Sequence, residues 1–469
     1  MEEKDSFEYT PKEAIAYSFG QVSLITAYQA FTFLVFTFYY AVVRLDVMLI
    51  TLGFIIWSVF NAFNDPILGH FSDKTHTKWG RRRPYIMIAL IPLAIVVFFL
   101  FYPPLSYGIT SSMANFTYFV IIILLFELFY TMYDINLTSM LPEVFITEDA
   151  RIKANNIRQV FAIFGLIFAF ILPSLFISDY SDPDSLLEYV PFGLTLMVII
   201  IVVGIICRKF TPREKPEFQQ DYLGKSGFVD SFKDCLKNRS FRWAIPAFMG
   251  DMFVTTMLPT IVPLYGKYIL GIGEGETLLL SLLLGVTFLS AALAITFIWK
   301  PVAQRVGIRK MWMTSSAIWI CTLIPLMFIE DRALGFIVFF LVGIGLAGSL
   351  YSKDLIVADI IDEDEVLTGT RKDASYFAFY IFFLRLATIF VFLSISFVFT
   401  STGWAIFEPD QVTAEIKLGL RLLTFVFPSI ALSIIIITMY KYPLDGEYLK
   451  EIRAKLANLH QEKKSKIKK

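Results

Sequence analysis

Ionisable and amide side chains recur inside otherwise apolar runs, at spacings that suit a helix. Asn61 and Asp65 lie four residues apart, with Asn64 between them and Pro66 directly after, in a largely apolar stretch that begins near Val47. Glu127, Thr131 and Asp134 follow at i, i+4 and i+7 in a second stretch, so each set shares one helix face. Arg158, Asp251, Lys353 with Asp354, and Arg385 are charges in four further apolar runs. In hydrocarbon such a group costs at least ~2.5 kcal/mol on insertion scales, so each one points to a cavity, a partner or a ligand. Carboxylate, amide and hydroxyl oxygens together make a hard donor set for a cation such as Na⁺. A single carboxylate in the same place can instead carry a proton. Pro66 adds an oxygen, because its ring leaves a carbonyl of the preceding turn without its helical hydrogen bond.

Other assignments compete. Asp65 also suits a structural ion pair or a cap, and Asp134 with Arg158 suits an interhelical pair that only holds helices together. Glu127, Asp251, Lys353 and Asp354 suit either a structural or a functional role. Arg81, Arg82 and Arg83 stand in the basic loop that follows Asp73; they read as anchors and gate-side partners, and His70 as a polar helix end. There is no Walker loop, which excludes ATP as the driver, and no HExxH or GxSxG to suggest a membrane hydrolase. The three cysteines, Cys207, Cys235 and Cys321, form no CxxC pair, so neither a structural metal nor a cofactor is expected. A net charge of +0 gives no reason to expect a nucleic-acid partner.

The elements that must position these residues are membrane helices. The 469-residue chain is 56% hydrophobic and only 17% charged, with a mean hydropathy of +0.64, too apolar for a soluble domain. Apolar runs of about 18 residues or more recur along it, the length that crosses roughly 30 Å of hydrocarbon as an α-helix. Runs such as Val120 to Phe126 are apolar on every side, which excludes the alternation of a membrane β-barrel. The reading is an all-α polytopic membrane protein with about twelve transmembrane helices. The spans lie near 14–42, 48–72, 84–102, 114–140, 154–178, 190–208, 242–266, 276–299, 309–330, 334–360, 374–399 and 415–440. Lys and Arg concentrate in the loops that share a side with both termini, so both termini are expected in the cytoplasm; the cell membrane is the expected location. The acidic start Met-Glu-Glu-Lys-Asp does not resemble a cleavable leader.

The longest polar interruption divides the chain into a six-helix bundle over 1–208, a linker over 209–241, a second six-helix bundle over 242–440 and a basic tail over 441–469. A faint repeat supports the division: Gly69 to Arg83 links spans two and three as Pro301 to Lys310 links spans eight and nine. The tail reads as a solvated basic segment able to lie on anionic lipid. Two six-helix halves, buried charges and no nucleotide site imply a secondary transporter working by alternating access.

Asn64-Asp-Pro-Ile-Leu-Gly-x-x-x-Asp73 with Trp79-Gly-Arg-Arg-Arg-Pro-Tyr85 resembles the signature between spans two and three of the glycoside-pentoside-hexuronide:cation symporters. These are the melibiose permease group of the major facilitator superfamily. The resemblance continues through Tyr130 to Asp134, Leu141-Pro, Arg158, Val357 to Asp362, Gly369-x-Arg371, and Arg385 where the family often carries Lys. It implies that Asp65 and Thr131, with Asn61 in place of a second acid, hold the coupling cation, leaving Na⁺ and H⁺ both open. It also implies solute contacts from Asp134 and Arg158, with Asn64 and Arg385 beside them. The acid that the family places on span one has no match near Ile25, where Gln21 or Tyr28 are the nearby substitutes.

The function expected is therefore cation-coupled symport of a glycoside or related polar solute. A lysophospholipid symporter is the alternative, since lysolipid carriers share this fold and motif and the chain is rich in phenylalanine. A receptor or scaffold that moves nothing is a third. No obligate protein partner is expected beyond the solute and membrane lipid.

Overall fold

Apolar stretches become helices because a backbone in hydrocarbon must satisfy its own hydrogen bonds. The computed structural model describes residues 11–75, 77, 80, 82–145, 148–210, 228–369 and 372–467. In order come α1 (Pro11–Thr37), extended by a π turn over Phe38–Val42, then α2 (Val47–Lys74), α3 (Arg83–Leu100), α4 (Ser112–Val144), α5 (Glu148–Phe170) and α6 (Tyr189–Phe210). The short α7 (Phe228–Lys237) lies within the expected linker. It is followed by α8 (Arg239–Tyr268), then α9 (Thr277–Ala294), which runs through a π turn into α10 (Lys300–Val306). Next are α11 (Ile308–Leu323), α12 (Arg332–Thr368) and α13 (Asp373–Ser401); α14 (Ala414–Thr424) and α15 (Val426–Lys441) form one interrupted span, and α16 (Gly446–Ile467) ends the chain. Side chains cap several helix starts: Asp46, Ser111, Asn238, Asp331 and Thr413 each accept from a backbone N–H of the first turn.

Ten helical segments among the described residues are long and apolar enough to cross a membrane unaided. The expected spans five and nine, α5 and α11, are not among them. Charges from Glu148 to Arg158 load the start of α5, and α11 has 16 residues before it tightens into a 3₁₀ turn over Ile324–Met327. Both are held by neighbours: α5 packs on α1, and α11 on α12 and α15.

Helices α1 to α6 form one bundle, α1 against α5 and α6, α2 against α4, and α3 against α4 and α6. The second bundle packs α8 against α13 and α15, and α12 against α9 and α11. The two meet along α2 and α13, α1 and α8, and α5 and α9. Large apolar side chains such as Ile88, Phe297 and Phe397 point outward, as expected where lipid is the surrounding medium. Phenylalanine is not confined to that surface. Phe31 stacks on Phe126 at 4.6 Å, and Phe54 stacks on Phe392 at 3.6 Å across the bundle interface.

Close helix approach depends on small residues. A Cβ at Gly250 of α8 would stand 2.7 Å from the carbonyl oxygen of Ala431 on α15, a backbone atom that cannot rotate away. Gly250→Ala is expected to destabilise the protein by about 1–3 kcal/mol through overpacking. A thermal-shift measurement in detergent reads this as a lower melting temperature; unchanged melting would contradict this α8–α15 contact.

At the end remote from both termini the bundles are sealed. Lys267 pairs with Asp179 at 2.6 Å, Thr277 donates to the Ile177 carbonyl at 2.9 Å, and the Tyr180 and Ser281 hydroxyls lie 3.0 Å apart. Tyr40 donates to the Trp404 carbonyl, and Arg44 to that of Phe407 at 3.1 Å. At the other end the tail differs from the solvated segment expected. Its helix α16 docks on α12, burying Leu444 and Ile452, with Arg453 3.0 Å from Asp359 and Tyr448 donating to Glu363 at 2.9 Å. Burial, and then the hydrogen bond to Glu363, push the Tyr448 hydroxyl up to about 12, so it stays a neutral donor. Glu363 also accepts from Asn238, the cap of α8, at 3.1 Å.

Candidate functional site

Trp57, Asn61 and Asp65 repeat every fourth residue of α2, so they line one stripe facing α4. Opposite them, Thr131 places its hydroxyl 2.9 Å from Asp65 Oδ1 and 3.1 Å from Glu127 Oε1, standing between two carboxylates. Arg385 reaches in from α13 of the other bundle. Its Nε lies 3.7 Å from Asp65 Oδ2, its Nη2 4.0 Å from Glu127 Oε1, and its Nη1 donates to the Tyr28 hydroxyl of α1 at 3.1 Å. The guanidinium also stands 5.8 Å from the Tyr28 ring centre.

These ion pairs are longer than the 2.7–2.9 Å of a tight charge-assisted hydrogen bond. Arg385 Nε makes no hydrogen bond. One guanidinium is therefore loosely shared by two carboxylates. Their burial differs: the Glu127 side chain is 0% exposed and that of Asp65 16%. Glu127 Oε2, both amide atoms of Asn61 and the indole nitrogen of Trp57 are buried without a partner. Unpaired polar atoms at this density are costly in a dry interior, and they mark a place where something else can bind.

The other sequence candidates fall around this cluster or away from it. Asn64 donates to the Glu127 carbonyl at 3.5 Å and so ties α2 to α4 beside the carboxylates. Asp134 is partly buried and accepts from Thr138 at 3.2 Å. Arg158 lies near Tyr17, with a buried, unpartnered Nε. No ion pair among the described residues joins Asp134 to Arg158, although the two charges lie near enough to act on each other. Asp251 and Lys353 do not join the cluster; they pair with each other between α8 and α12 at 3.1 Å, with Asp251 fully buried. Asp354 is exposed. It and Asp134 each stand at the twenty-third position of their helices, α12 and α4, which extends the internal repeat seen in the loops. Arg82 donates to the Ser72 hydroxyl at 2.6 Å and so ties the start of α3 to α2. Arg83 begins α3 and is partly buried; the Asp73 side chain and Arg81 lie outside the described residues.

Sequence reasoning missed the cavity above the cluster. It is bounded by Tyr28 and Thr32 of α1, Trp57 of α2, Thr256 and Thr260 of α8, and Thr388 of α13, with phenylalanines filling the gaps. Its volume is about 20 Å³, room for about one water. Signals for it did exist: Thr256 and Thr260 are one turn apart in an apolar run, and Trp57 continues the Asn61–Asp65 stripe.

A chain with this arrangement has recognisable relatives. It is 25% identical over 353 residues to the isoprimeverose transporter of Lactiplantibacillus pentosus, covering 73% of this chain and 70% of that one. It is 22% identical to the inner membrane symporter YicJ of Escherichia coli strain K12, covering 95% of each. Its fold matches the crystal structure of the nucleoside transporter NupG with a TM-score of 0.66 at 15% identity, covering 92% of this chain and 99% of that one. The family model described as MFS/sugar transport protein matches residues 16–446, nearly the whole helical body described above. The protein is thus an integral membrane transporter and not an enzyme, and it belongs to the MFS/sugar transport protein family.

Proposed function

We propose that the protein is a cation-coupled symporter of a sugar or glycoside, working by alternating access. The observation that carries this reading is that Arg385 of one bundle is shared by Asp65 and Glu127 of the other. A cation arriving at Asp65 and Thr131 weakens the hold on Arg385, so ion occupancy is tied to how the bundles sit and to what the guanidinium can offer a solute. The effect is reciprocal, because solute engaging Arg385 frees the carboxylates for the ion. The bodies that move are the bundles over 1–208 and 242–440, with 209–241 connecting them and 441–469 attached to the second. Solute hydroxyls are read by Arg385, the Tyr28 hydroxyl and the cavity threonines, with Asp134, Arg158 and Asn64 completing the polar face. Four threonines and ringed aromatics suit a hydroxyl-rich solute better than a lysolipid tail. The Lys and Arg distribution supports an orientation with both termini in the cytoplasm, and the cell membrane is the location we assign.

Counterflow and uphill uptake in proteoliposomes test the reading, with a panel of mono- and disaccharides that includes isoprimeverose, a lysolipid arm, and imposed Na⁺ or H⁺ gradients. Sugar accumulation that follows one cation gradient is expected. Lysolipid-only flux, or no flux of any compound, would overturn the proposal.

A further inference from the structure

The coupling site holds two carboxylates and one hydroxyl hydrogen. An ionised carboxylate only accepts, and the Thr131 hydroxyl has a single proton to donate, yet its oxygen is 2.9 Å from one acid and 3.1 Å from the other. Both contacts become hydrogen bonds when one acid brings its own proton. Asp65 is the closer to the Arg385 guanidinium and is partly exposed; Glu127 is farther, fully buried and has an oxygen with no partner. Charge gives the same ordering. With both acids ionised the cluster carries a net −1 in a dry membrane interior, whereas a proton on Glu127 leaves a neutral Asp65–Arg385 pair.

We propose that Glu127 is the proton-carrying residue of this site, that a chain of hydrogen bonds runs from Glu127 through Thr131 to Asp65, and that H⁺ is therefore the coupling ion. This rests on the symport reading and goes further, because it assigns both the ion and the residue. One O–H bond forms on Glu127 when the site faces one side of the membrane and breaks when it faces the other. The groups that face Glu127 are Asp65 and Trp57 from α2, Tyr28 from α1, Arg385 from α13, and Thr131 and Tyr130 on its own helix. Arg158 of α5 lies toward Asp134 instead, and α3 has no ionisable residue beyond Arg83 and Tyr85 at its start. A Na⁺ ion would need several oxygens at once and would have to displace the guanidinium. A proton needs one oxygen, and Glu127 Oε2 is unpartnered. Asn61 is compatible with this: as an uncharged neighbour it adds no second fixed charge to the α2 stripe.

Infrared difference spectroscopy of the purified protein in lipid, at neutral pH and without solute, tests this independently of the transport assay. The C=O stretch of a protonated carboxyl group is expected in the wild type, shifted when glutamate is ¹³C-labelled, absent in Glu127→Gln and weakened in Asp65→Asn, where Glu127 is left as the counter-ion of Arg385. The labelled wild type keeps the test valid if a variant does not fold. A band that is missing from the wild type, insensitive to glutamate labelling, or still present in folded Glu127→Gln would overturn the proposal. So would loss of the band when NaCl replaces KCl. A failed sugar panel together with a Glu127 band would leave this assignment standing and remove only the solute reading.

Discussion

Arg385→Gln abolishes solute accumulation and destabilises the protein by about 3–5 kcal/mol, the cost of removing one partner from a buried ion pair and leaving the other uncompensated. The expectation follows from where the guanidinium sits. It is the positive group shared by Asp65 and Glu127, and it joins α13 to α2, α4 and α1. Removing it strands Asp65 as an unneutralised charge and cuts the link between bundles. Thermal unfolding in detergent and uptake in proteoliposomes read the two effects separately. Adding Asp65→Asn to Arg385→Gln should restore most of the lost stability, since with Glu127 protonated no stranded carboxylate remains, but none of the accumulation. A double variant as unstable as the single one would show that Arg385 matters through packing and not through charge. Arg385→Lys is expected to keep most of the stability, because a single ammonium still neutralises Asp65, and to lose the simultaneous reach to Tyr28.

Asp65→Asn should reduce ion-driven accumulation to equilibration while leaving part of the downhill exchange. An amide keeps the shape and still accepts from Thr131, yet it has no charge with which to balance Arg385 or to sense an arriving cation. The coupling free energy between ion and solute is then lost, although the solute face, formed by other residues, remains. Counterflow measures exchange and an imposed gradient measures accumulation, so the two are separable in one preparation. Normal uphill accumulation in Asp65→Asn would remove Asp65 from the coupling site.

Much of this organisation was legible before any coordinates. Ten of the twelve spans stand out by length and composition alone, and α5 and α11 were readable from their places in the loop pattern, although their own sequences are too charged or too short. The pairing of Asp65 with Thr131 was accessible through the family resemblance, since spacing within α2 and within α4 does not say which of their residues meet. The involvement of Glu127 was harder to see. Glu127 and Asp134 lie on one stripe, but seven residues separate them by about 10 Å along the axis, and only the relative height of α2 and α4 decides which acid faces Asp65. That height is a tertiary property, as is the rotation of α13 that aims Arg385 across the interface instead of toward solute alone. The docking of α16 had a local signal, Leu444, Tyr448 and Ile452 at four-residue intervals, obscured by the lysines around it.

The small cavity between α1, α2, α8 and α13 carries a consequence for affinity. A cavity with room for one water does not hold a sugar ring, so a solute that contacts the residues lining it binds only to a form in which it is wider. Apparent affinity is then the intrinsic affinity reduced by the fraction of molecules already open. A substitution in the remote seal, at Lys267 or Asp179, can tighten or weaken binding without touching the solute, simply by changing that fraction. Differences in affinity among carriers of this family can therefore be located in residues that close the molecule as well as in those that line its interior.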